Sequence, residues 1–122
     1  MIDFKNGAFI KLHKTNNTPQ EINALLIQNE TIISTYQGFR DYVTFTTKRI
    51  ISVNVQGMTG KKKDYTSLPY SKVQAFSIET AGQFDLDSEL ELYFSSLGKV
   101  KFEFTGVSDI VEIGRIISQY IL

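Results

Sequence analysis

Two spacings of apolar residues divide the chain. Leu90, Leu92 and Phe94 alternate with Glu89, Glu91 and Tyr93, and beyond Ser96-Leu97-Gly98 the alternation resumes with Val100, Phe102 and Phe104 against Lys99, Lys101 and Glu103. A period of two puts every second side chain on one side of a strand, so this stretch predicts a hairpin with one apolar and one charged face. Its Glu and Lys sets can pair across the strands, for roughly a few tenths of a kcal/mol each. Upstream, Tyr42–Thr47 and Ile50–Gln56 alternate around a tight turn at Lys48-Arg49, with Val43, Phe45, Ile51, Val53 and Val55 as the inward set. Thr31–Gln37, Lys63–Leu68 and Val73–Thr80 bring the predicted strands to seven.

At both ends of this β region the period changes to that of a helix. Thr18-Pro19-Gln20-Glu21 offers an N-cap Thr, a Pro at the first helical position and a Glu at the third, and Ile22, Leu25 and Leu26 follow at helical spacing, predicting a short helix over about 19–28. Near the C-terminus Ser108 and Asp109 can cap a run in which Ile110, Ile113, Ile117, Tyr120 and Ile121 share one face. A helix over 108–121 is predicted, its apolar stripe made for docking on a sheet. Seven antiparallel strands closed by one amphipathic helix give a mainly β domain, a small barrel or sandwich with the helix over one end.

Composition narrows the chemistry. With 122 residues the chain is one domain, and with no Cys it has no disulfide, thiolate metal site or cysteine nucleophile. Thirteen Lys+Arg balance thirteen Asp+Glu, which argues against a general nucleic-acid binder, since such binding depends on clustered cations displacing counterions. No run approaches the ~20 apolar residues of a membrane helix, and Met1-Ile2-Asp3-Phe4-Lys5-Asn6 lacks the features of a secretory signal, so a cytoplasmic protein is the expectation.

Four segments carry a resemblance. Phe39-Arg40-Asp41-Tyr42-Val43-Thr44-Phe45-Thr46-Thr47-Lys48-Arg49-Ile50-Ile51 resembles the RDxxxFTxKRxI segment of the bacterial pleckstrin-homology (PH-like) family, formerly a family of unknown function. Val55-Gln56-Gly57-Met58-Thr59-Gly60-Lys61-Lys62, Leu68-Pro69-Tyr70 and the stretch from Glu79 to Leu90 resemble its other blocks in the same order. The resemblance implies a seven-stranded PH-like antiparallel barrel capped by a C-terminal helix, and ring-shaped homo-oligomers, usually pentameric. It covers residues 25–122; residues 1–24, with Phe4, Phe9, Ile10 and Leu12, are the least family-like, an N-terminal arm or extension that supplies an extra strand or packs on a neighbour.

Candidate sites are few. Gly57-Met58-Thr59-Gly60-Lys61-Lys62-Lys63 is a glycine-rich turn running into three lysines, an anion-binding candidate at Lys61, Lys62 and Lys63 for a phosphate headgroup or a membrane surface. Its spacing is not that of a P-loop, and the simpler reading is a hairpin whose glycines allow positive φ. Phe84-Asp85-Leu86-Asp87-Ser88-Glu89 lacks the turn Gly and the twelfth-position Glu of a calcium loop, so no metal or other cofactor is expected there. His13 has no partner of a catalytic or metal-binding kind, no G-x-S-x-G occurs, and no catalytic residue is assigned. PH domains that bind phosphoinositides carry several cations in the first hairpin loop; the corresponding Gln37-Gly38-Phe39-Arg40-Asp41 has one, beside an acid. The sequence therefore predicts a non-catalytic assembly module. Its interface candidates are outward Tyr36, Tyr42, Ile50 and Tyr93, together with Arg40, Lys48 and Arg49 meeting Asp85 and Asp87 of another copy. Other proteins or peptides are further candidate partners, through a sheet edge or a groove beside the last helix.

Overall fold

The computed structural model describes residues 1, 9–84, 86–106 and 109–122. The described elements run β1 (His13–Thr15), α1 (Gln20–Leu25), β2 (Ile32–Gln37), β3 (Tyr42–Thr46), β4 (Arg49–Gln56), β5 (Lys62–Pro69), a 3-10 turn (Tyr70–Lys72), β6 (Ala75–Glu79), β7 (Ser88–Phe94), β8 (Gly98–Phe104) and α2 (Ile110–Ile121). Strands β2 to β8 are the seven that the alternation predicts, and β1 is added by the N-terminal segment. All ladders are antiparallel, in a five-stranded sheet of order β1-β2-β3-β4-β5 and a three-stranded sheet of order β6-β7-β8.

The two sheets close on each other through the residues just ahead of β1. Leu12 N donates to Glu103 O at 3.0 Å, Glu103 N to Phe9 O at 3.1 Å and Thr105 N to Leu12 O at 2.8 Å, a short parallel seam along the end of β8. Side chains from both sheets meet behind it. Phe9 packs on Phe102 at 5.5 Å between ring centroids, and Tyr36 sits edge-on to Phe104 at 4.9 Å and to Phe45 at 5.8 Å. Leu12, Val43, Ile50, Leu90, Val100 and Phe104 are fully buried in the same core. Helix α2 covers one end of this barrel with Ile110, Ile113 and Ile117, and Tyr120 stacks on Tyr70 at 6.0 Å.

Register corrects two inward–outward assignments. Tyr36 pairs with Val43, Val43 with Ser52, and Phe45 with Ile50, so Tyr36 and Ile50 share the core-facing side with Val43 and Phe45. Both were expected to face outward; they are buried and offer no contact surface. Ile51 and Val53 lie on the opposite side of the sheet, under α1, where Ile22 completes a second small cluster. The alternation within β4 is the predicted one, but the turn pairs even positions of β4 with odd positions of β3.

The helix starts also differ. Helix α1 is shorter than predicted, and Thr18 makes no cap hydrogen bond: its hydroxyl lies 2.7 Å from that of Thr35, which is 3.0 Å from that of buried Thr44. Asp109 precedes α2 without capping it and lies 4.0 Å from Lys14 Nζ, while the other expected cap, Ser108, falls outside the described residues, as does Phe4.

Because the seam passes through a fully buried side chain, Leu12→Ala is expected to destabilise the domain by about 2–5 kcal/mol. A 25–122 fragment, which lacks the seam altogether, is expected to show no cooperative unfolding transition. Urea denaturation followed by circular dichroism checks both.

Candidate functional site

The cationic candidates have different surroundings. Lys48 is exposed, whereas the neighbouring Arg49 is built into the protomer. Arg49 Nε donates to Glu30 Oε2 at 2.9 Å and Nη2 to Glu30 Oε1 at 3.0 Å, while Nη1 reaches Ser67 Oγ at 2.9 Å and Nη2 the carbonyl of Leu25 at 2.7 Å. Glu30 is buried, and it also accepts from Thr46 Oγ1 at 2.6 Å and Ile27 N at 3.1 Å. Burial works against the Glu30 charge, but the hydrogen bonds from Arg49, Thr46 and Ile27 and the guanidinium charge outweigh it, and the carboxyl titrates below the ordinary 4.5. Sequence reasoning missed Glu30 because Gln28-Asn29-Glu30-Thr31 reads as a solvated loop. An acid facing the first residue of a strand across the sheet gives no pattern signal.

The remaining charged candidates converge on the loops at one end of the five-stranded sheet. Arg40, in the β2–β3 loop, donates to the Gly57 carbonyl in the β4–β5 loop. Asp41 turns the other way, its Oδ1 accepting from Val55 N at 2.9 Å and Asn54 Nδ2 at 3.2 Å. The acid beside Arg40 is thus spent on positioning β4, and Arg40 forms no ion pair among the described residues. Gly57 and Gly60 take φ of 75° and 68°, the left-handed values that the glycine-rich turn requires.

The three lysines do not act as a set. Lys63 Nζ lies 2.9 Å from Glu21 Oε1, and the hydrogen bond and charge of that carboxylate raise its pKa. Lys61 and Lys62 remain exposed beside the turn. At the tips of these two tied loops, Phe39 and Met58 are essentially fully exposed.

The β6–β7 loop joins the same end. A Cβ at Gly38 would lie 3.3 Å from Ile10 O and 3.5 Å from Leu12, and the intervening Lys11 reaches Asp87 Oδ2 at 2.9 Å, immediately before β7. The Lys11 hydrogen bond is the largest of the effects that lower the Asp87 pKa. Phe84 and Leu86 in this loop are exposed, and Asp85 lies outside the described residues. Of the tyrosine candidates, Tyr42 is half-buried on the α1 side of its sheet, and Tyr93 stands exposed on the outer face of β7, opposite Lys99. On the same face Lys101 pairs with Glu89 at 3.1 Å and Lys99 with Glu91 at 3.8 Å.

Among the described residues no three His, Asp or Glu side chains gather as a metal site, and no helix is long and apolar enough to cross a membrane. His13 is exposed on β1. What the candidate site presents chemically is two exposed apolar tips with cations beside them.

The family model described as bacterial PH domain matches residues 3–121. The chain is 39% identical over 101 residues to the uncharacterized protein YjqA of Bacillus subtilis, covering 81% of each chain. Its fold is similar to the crystal structure of a DUF1696 family protein with a pleckstrin-homology domain from Shewanella loihica, with a TM-score of 0.81 and 35% identity over 93% of this chain and 99% of that one. A pleckstrin homology domain from Shewanella amazonensis is also similar, at a TM-score of 0.64 and 40% identity over 84% of this chain and 83% of that one.

The Glu30–Arg49 pair makes stability depend on acid. A carboxyl whose folded pKa is lowered stabilises fully above its ordinary value of 4.5, and that contribution disappears as the pH falls through the folded value. Glu30→Gln strands the Arg49 charge and is expected to cost roughly 3–5 kcal/mol near neutrality. The gap between wild type and variant should narrow from about pH 5 downward, as read by urea unfolding at a series of pH values.

Proposed function

The chain belongs to the bacterial PH domain family, and from that premise we propose that it is a non-catalytic assembly module, closing into a homo-oligomeric ring through the loops at the open end of its barrel. The observation that carries this reading is the exposure of Phe39 and Met58, each at 96% or more, on two loops tied to one another by the hydrogen bond from Arg40 to the Gly57 carbonyl. Large apolar side chains held out in one region of a protomer are the composition of an interface core rather than of a free surface.

Charge supplies the direction of the contact. Arg40, Lys61 and Lys62 flank Phe39 and Met58, whereas the loop bearing Phe84 carries Asp85 and Asp87. A basic apolar lip on one copy meeting an acidic apolar loop on the next is a contact between two different patches, and such head-to-tail contacts close into rings when the rotation allows. The Lys11–Asp87 pair is exposed on its Lys11 side, so its exchange for a cation of the neighbouring copy costs little. The ring is pentameric in this proposal, as the family resemblance implies.

Light scattering during size exclusion is expected to give a mass several times 13.9 kDa for the wild type. The double variant Phe39→Ser with Met58→Ser should elute as a monomer that still unfolds cooperatively, because neither side chain is packed in the protomer. A monomeric wild type at micromolar concentration overturns the proposal. Flotation of that monomer with phosphatidylserine vesicles, lost on raising salt, would instead assign the same lip to an anionic surface.

A further inference from the structure

A second surface shares no residue with the loop lip. β6 forms one edge of the three-stranded sheet: β7 pairs with it on one side, and no described strand pairs with it on the other. Helix α2 packs against the Phe76 and Ile78 side chains of β6, and an open groove of about 540 Å³ between them is lined by these two residues and, from the helix, by Val111, Gly114 and Arg115 among others. Gly114 sets the spacing, since a Cβ there would already stand 3.4 Å from two atoms of Ile78. Phe76 and Ile78 are half-buried against the core, and Val111 is 56% exposed, although it lines the same space.

An edge strand presents a row of backbone N–H and C=O groups for which another strand is the natural partner. We propose that this groove receives one extended segment of a partner protein, added as a fourth strand to β6, with apolar side chains at alternate positions set against Phe76, Ile78 and Val111. The dimensions select the occupant. Five residues of β6 span about 17 Å, and a segment of that length covers well under the ~800 Å² per partner that a stable complex of folded proteins requires. A second copy of the chain would therefore not be held by this strand alone, whereas a short peptide gains affinity from the main-chain ladder and selectivity from its alternate side chains.

Charge selects its composition. Glu112 and Arg115, the two ionised residues on the groove wall, pair with each other at 3.4 Å, so the wall carries no uncompensated charge. The segment is accordingly neutral and apolar at the positions that face in.

The test uses the full chain and a phage-displayed library of eight-residue peptides, followed by anisotropy titration of a labelled synthetic copy of the strongest binder. Binders are expected to alternate apolar and polar residues. Val111→Glu, at an exposed position, should weaken binding at least tenfold without lowering the melting temperature. N-methylation of the peptide amides that face β6 should do the same, while N-methylation of the other alternate set should not. Binders without alternation, or insensitive to both changes, overturn the proposal. So does a Val111→Glu variant that changes oligomeric mass, which would mean that a second copy fills the groove. Loss of binding in the Phe39→Ser, Met58→Ser variant would move the site to the loops, again overturning it.

Discussion

The architecture depends on the seam between residues 9–12 and 103–105. A sheet of five strands and a sheet of three become one barrel only where backbone hydrogen bonds join them, and among the described residues this junction is made by three bonds of 2.8–3.1 Å. Its contribution exceeds those bonds. Closing the seam brings Phe9 onto Phe102 and Tyr36 onto Phe104, and these large side chains fill the space where the sheets diverge from one another. The same residues place Lys11 against Asp87 and Gly38 against Ile10, so the barrel's closure and the position of its open-end loops have one origin.

On the opposite side of the five-stranded sheet the constraint is electrostatic. Arg49 gathers the end of α1, the loop after it and β5 through Leu25, Glu30 and Ser67. A buried carboxylate is tolerable there because every direction around it is occupied by a donor: two guanidinium nitrogens, a hydroxyl and a backbone N–H. The small apolar cluster of Ile22, Ile51 and Val53 would hold α1 loosely without it. Arg49 is therefore a structural residue, and its neighbour Lys48 is the one that projects to solvent.

The fold was readable wherever side-chain period alone decided the outcome. Leu90, Leu92, Phe94, Val100, Phe102 and Phe104 alternate without interruption, and all six are buried as their spacing predicts. Legibility failed where two strands had to be brought into register. Val43, Phe45, Ile51 and Val53 each belong to a correct alternation, yet pairing Phe45 with Ile50 sends the two sets to opposite sides of one sheet. Ile50 faces the core for that reason, and Tyr36 does so because it pairs with Val43. Thr18 had the right neighbours for a helix cap, but a hydroxyl of a buried threonine row competed for it. Of the open-end loops, the sequence showed the residues but not that Arg40 and Asp41, adjacent in the chain, have separate partners.

That separation explains how a chain of zero formal charge can still present a charged surface. Neutrality is a sum, and here several of the acids are engaged inside the protomer: Glu30 by Arg49, Asp41 by the backbone of β4, Asp64 by Thr66 and the terminal amine, Glu21 by Lys63. Among the described residues, the cations beside the exposed Phe39 and Met58 have no such engagement with a carboxylate. A local excess of positive charge is then left next to apolar side chains at one end, while the β6–β7 loop carries Asp85 and Asp87, the latter paired with Lys11. In the proposed ring, such a distribution would give neighbouring copies little net repulsion and a preferred relative orientation, which balanced composition alone would not provide.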